Sequence, residues 1–127
     1  MSTQYIELGR QGWHILVYYC ADRSDKEELR KALSWLDCPA NAIAKALRVL
    51  DHNNTGFTFT NSDYKMSIVC IGKASSRSQF VSTVVHEAKH VQSHICSFYG
   101  VDENSEEAAY LIGYIVKRMY IGITNIY

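Results

Sequence analysis

"MSIVCIGKASSRSQFVSTVVHEAKHVQS", residues 66–93, decides the fold, because it passes from one periodicity to another. Up to Cys70 the apolar residues alternate, with Tyr64, Met66, Ile68 and Cys70 on one face of a strand. Ser76 or Ser78 then offers an N-cap, and a helix is expected to run to Gly100, a suitable terminating glycine. Within that helix Val81, Val84, Val85, Ala88, Val91 and Ile95 share one apolar face, from which His86 and His90 point away.

Working back from this stretch, "GFTFTNSD" places Phe57 and Phe59 together on a preceding strand, so that residues 56–72 read as a hairpin. "GWHILVYYC" is a further strand with Trp13, Ile15, Val17 and Tyr19 on one side, and "YIELGRQG" before it supplies a hairpin partner. Two helices lie between. Ser24 with Glu27 reads as a capping box ahead of Leu29, Ala32, Leu33 and Leu36. After "DCPAN", Ile43, Ala46, Leu47 and Leu50 repeat the helical period until "DHNNTG" ends it. Downstream, Ser105 caps a last helix through "EEAAYLIGYIVKRMY". The expectation is an α+β fold, a single domain over residues 1–127. A short, mostly antiparallel sheet packs with the histidine-bearing helix and the C-terminal helix.

Lys plus Arg and Asp plus Glu both number 13, so no basic field invites nucleic acid. The start of the chain lacks the pattern of a signal peptide, and its apolar runs are too short to span a bilayer, so no membrane partner is expected. Cys20, Cys38, Cys70 and Cys96 are widely spaced with no CxxC pair, which favours free thiols and a cytoplasmic setting.

The chemistry is concentrated in "HEAKH". Side chains at i and i+4 of a helix lie one turn apart on the same side, so His86 and His90 can reach one metal ion. Glu87 is rotated about 100° from His86 and is free to act as a general base toward a zinc-activated water. The same residues would equally suit the solvated face of an amphipathic helix. A third, oxygen ligand has three candidates at the start of the next helix: Glu103, Glu106 and Glu107. Glu106 is preferred, because Ala109 and Gly113 continue its stripe and permit close helix contact, whereas Glu107 heads a stripe with Tyr110, Leu111 and Tyr114. His94 lies about 80° off the line of His86 and reads chiefly as a solvated or hydrogen-bonded side chain, with a fourth ligand or an oxyanion donor as the weaker alternative. Lys89 reads as solvent-facing, His14 and His52 as structural, and Tyr99, Tyr110 and Tyr114 chiefly as packing residues.

"HEAKH" followed by "EEAA" resembles the HExxH and ExxA-like pair of zinc metallopeptidases of the gluzincin branch, and the small size is similar to that of minimal single-domain gluzincins. The resemblance covers the segment from Ser67 to about Ile115. It implies a zincin-like domain with Zn2+ bound by His86, His90 and Glu106, and Glu87 as general base and acid. A peptide or protein substrate would be aligned by a strand beside the cleft, a place that "YKMSIVCIG" matches. Ser93 and Cys96 stand where the metzincin branch has a glycine and its third histidine, which argues against that branch. No separate domain carries the transition-state histidine of larger gluzincins. The competing expectation is a noncatalytic zincin-like binding or regulatory protein with a metal site. Finally, "IGITNIY" is apolar enough to lie in a groove and mask the cleft.

Overall fold

A computed structural model describes residues 1–124. Four strands, β1 (Ser2–Leu8), β2 (Trp13–Ala21), β3 (Gly56–Asn61) and β4 (Met66–Gly72), form one open sheet in the order β1-β2-β4-β3. β1 pairs antiparallel with β2, and β3 with β4, while β2 and β4 run parallel. The sheet is therefore mostly antiparallel, as the hairpin signals indicate. The parallel pair needs a long crossover. It is supplied by α1 (Lys26–Trp35), α2 (Ala40–Arg48) and β3 itself.

Strand alternation sends the two faces of the sheet to different layers. Ile15, Val17, Tyr19, Val69 and Ile71 meet α3 (Arg77–Tyr99) and α4 (Glu106–Ile123). Tyr18, Phe57, Met66, Ile68 and Cys70 meet α1 and α2 through Leu29, Leu33, Leu36, Ile43 and Leu47. Helices thus cover both faces, not only the face of α3 and α4. Each fully buried leucine or isoleucine contributes about 1.5–3 kcal/mol, so these two cores hold the layers to the sheet.

Most helix ends follow the sequence signals. Ser76 accepts from the Gln79 amide, Ser105 accepts from the Ala108 amide, and Gly100 closes α3 with φ 68°. One cap is displaced. The capping box is Asp22 with Asp25 around a short 3₁₀ turn, not Ser24 with Glu27. Asp22 accepts from both the amide and the hydroxyl of Ser24 and is paired with Lys73, contacts that fix it two residues earlier.

The C-terminal segment also departs from expectation. Ile123 continues the buried stripe of Met119, so α4 runs on into the segment and Ile123 joins the core. The remainder of the proposed mask, residues 125–127, lies outside the described residues. Among the described residues no helix is long and apolar enough to cross a membrane.

Candidate functional site

α3 is held against the sheet by Phe80, Val84, Ala88, Val91 and Ile95, all buried. Val81 and Val85, placed on that face by periodicity, are 46% and 43% exposed. The helix is turned so that Phe80 takes the core position, its ring 6.2 Å from that of Tyr19. This rotation presses Thr83 and Glu87 toward β3 and Gln92 toward α4, where its amide donates to the Ala108 carbonyl at 3.2 Å.

His86 and His90 are exposed and brought together, with their Nε2 atoms 3.2 Å apart. Two nitrogens about 2.0–2.1 Å from one tetrahedral ion stand roughly 3.3–3.4 Å apart, so the pair has the spacing of two zinc ligands. The same distance lets one neutral ring donate to the other. Glu87 is only 3% exposed, unlike His86 and His90, and its Oε2 lies 3.9 Å from His86 Nε2. Its other oxygen, Oε1, accepts from the Thr58 hydroxyl at 2.9 Å.

β3 supplies partners for Glu87 and His94 that carry no motif in the sequence. Phe57 and Phe59 face the α1–α2 side, which leaves Gly56, Thr58 and Thr60 facing α3. The alternation of "GFTFT" carries that signal, since residues between the phenylalanines must face the other way. Gly56 allows close approach: a Cβ there would stand 2.5 Å from the Cys70 carbonyl oxygen and 3.2 Å from Glu87 Cγ. Thr60 pairs with both Ser67 Oγ and His94 Nδ1 at 2.7 Å, and Ser67 Oγ also accepts from Trp13 Nε1 at 3.1 Å. Burial, and then the neighbouring His90, hold the His94 imidazole below its usual pKa. Burial also pushes the Cys70 thiol up.

The proposed third ligand does not join the pair. Among the described residues no group of three His, Cys, Asp or Glu side chains is arranged to hold an ion. Glu106, Ala109 and Gly113 are exposed, and a Cβ on Gly113 would meet nothing within 4 Å. The small-residue stripe therefore faces solvent. The inner face of α4 is taken instead by Leu111, Ile115 and Met119, with Ala108 buried beside them. Glu103 reaches α3, accepting from Ser93 at 3.1 Å and pairing with Lys89 at 3.4 Å. Glu107 lines a separate cleft with Leu8, Arg10, Tyr110 and Tyr114, and Tyr99 donates to the Gln11 carbonyl nearby.

The strand beside the histidine-bearing helix is also not the one expected. β4 is interior and wholly buried, because it pairs on both sides, whereas β3 is the outer strand next to α3. Two clefts border the α3–β3 seam. One of about 320 Å³ is lined by Asn54, Gly56, Gln79, His86 and Glu87, and the other, of about 210 Å³, by Thr60, Ser62, His94, Ser97 and Phe98. Comparison with protein-family models, curated proteins and solved structures finds no match to this chain.

Proposed function

We propose that the chain is a small zinc-dependent peptidase whose site is the α3–β3 seam. The observation that carries this reading is the approach of His86 and His90 Nε2 to 3.2 Å with the buried Glu87 carboxylate beside them. A solvated helix face has no use for a carboxylate taken out of water, since burial of a charge is costly without compensation.

His86 and His90 would hold the ion. Zinc bound there supplies Lewis acidity, polarising a carbonyl and making water a nucleophile near neutral pH. Two imidazoles are one protein donor short of the usual three. Glu106 would have to turn inward from its exposed position in the first turn of α4, where it has no partner among the described residues.

The proton work falls to Glu87. Thr58 occupies Oε1, which leaves Oε2 on the His86 side as the proton acceptor. As the water oxygen bonds to the peptide carbonyl carbon, one proton passes to Glu87. Glu87 then delivers it to the departing amine nitrogen while the C–N bond breaks, and the product acid keeps the second proton. β3, the outer strand, offers an extended peptide a backbone edge to lie along.

The lack of a converged third donor favours a second reading, a metal-dependent binding protein without turnover. One experiment separates the two: zinc content and hydrolysis of a broad peptide library, measured on the same purified protein before and after chelation. Chelator-sensitive hydrolysis with about one zinc per chain is expected for the peptidase. Zinc uptake without turnover leaves the binding protein, and failure to take up zinc removes both.

A further inference from the structure

The chain of hydrogen bonds behind His94 has a direction, and that direction fixes which nitrogen of the ring carries its proton. Trp13 Nε1–H can only donate, so Ser67 Oγ accepts from it at 3.1 Å. Ser67 is fully buried, and its one remaining partner among the described residues is Thr60 at 2.7 Å. If Thr60 donated to Ser67, the Ser67 proton would be left buried without an acceptor, at the cost such orphans carry. Ser67 therefore donates to Thr60, and Thr60 donates to His94 Nδ1 at 2.7 Å. An imidazole that accepts at Nδ1 carries its proton on Nε2.

That Nε2–H has no partner among the described residues, and the ring lines the cleft shared with Ser97 and Phe98. His94 is one helical turn beyond His90, the two rings 6.4 Å apart between centroids and inclined by 30°. We propose that His94 is a catalytic hydrogen-bond donor. Its Nε2–H takes the oxygen of the scissile carbonyl as negative charge develops there, and Thr60, Ser67 and Trp13 act as positioning residues that hold the required tautomer. This inference rests on the peptidase reading. It assigns within α3 a donor for the developing oxyanion, and preorganised donors of that kind are worth most where water is displaced.

The test has two arms. Ring ¹⁵N NMR of the metal-free protein should show His94 as the Nε2–H tautomer, with the preference lost in Thr60→Val and restored in Thr60→Ser. In the zinc-loaded protein, His94→Phe should lower kcat by about 10²–10³-fold with KM little changed. His94→Gln, which keeps an N–H, should fall between the two and serves should the phenylalanine variant not fold. An Nδ1–H tautomer overturns the inference and leaves the peptidase reading standing. So does wild-type kcat in either variant, or loss of zinc from both, which would make His94 a ligand. A wild type with the Nε2–H tautomer that takes up zinc but neither cleaves nor binds peptides overturns the peptidase reading, and the catalytic role of His94 with it.

Discussion

The two helical layers differ in what they bury. The α1–α2 side of the sheet closes over leucine, isoleucine, phenylalanine and cysteine, and the serine, threonine, glutamate and glutamine side chains buried among the described residues all lie elsewhere. On the α3 side, Ser67, Thr83, Glu87 and Gln92 are all buried. The same strand shows both chemistries: Met66, Ile68 and Cys70 of β4 enter the apolar layer, while Ser67 between them faces α3. A buried polar group adds little net stability even when its hydrogen bonds are made. Polarity confined to one layer therefore points to a task, and the α1–α2 layer serves as the support against which that task is held.

The contrast is sharpened most by Glu87→Gln. It should keep zinc and fold yet lower kcat by about 10²–10⁴-fold, since the amide has Glu87's shape but accepts no proton. Metal analysis and steady-state kinetics on one preparation would show this, and an active variant would break the assignment. Leu33→Ala in the opposite layer should do the reverse. Deleting a fully buried leucine should cost about 2–5 kcal/mol in urea unfolding, with zinc stoichiometry at low temperature unchanged.

A finer comparison uses the Thr58–Glu87 pair alone. Thr58→Val strips a partner from a buried carboxylate and should cost about 1–3 kcal/mol. Replacing both, as Thr58→Val with Glu87→Met, should return stability to within about 1 kcal/mol of wild type, because no orphan remains. Should the double variant be as unstable as the two single changes together, the two side chains are not energetically coupled and the contrast between layers loses its meaning.

The smallest effect concerns Asp22, whose carboxyl is held below the usual range by Lys73 and then by Ser24. A carboxyl depressed in the folded state adds stability above its unfolded value of about 3.9 and loses it as pH falls below that. Asp22→Asn should therefore lower Tm slightly at neutrality, where the exposed pair contributes, and little in acid, which flattens the acid limb of a plot of Tm against pH.

The elements themselves were legible because each rests on local periods and caps. Trp13, Ile15, Val17 and Tyr19 all face the core, and Ser76, Gly100 and Ser105 bound their helices as their chemistry requires. The rotation of a helix was less so. Apolar residues cover a wide arc of α3, and it is Phe80, whose ring lies by Tyr19, that points inward while Val81 is exposed. The third ligand was illegible for a related reason: small residues permit close packing but do not cause it, and Ala109 and Gly113 lie on the outside of α4. Placement of β4 between β2 and β3 was invisible, because strand order is set by the crossover and not by any local pattern. The histidine pair was legible from spacing alone, whereas the threonines of β3 required knowing which strand lies beside α3.

Gly56 gives these two kinds of information a common fate. Any side chain at that position would strike the backbone of β4 and crowd the stem of Glu87 at once. A lineage drifting through sequence space has few graded routes past it, because a substitution that disturbs the carboxylate also parts the hairpin. Variation at position 56 should accordingly be tolerated much less than at the exposed positions 9 and 113, where an added Cβ would meet nothing.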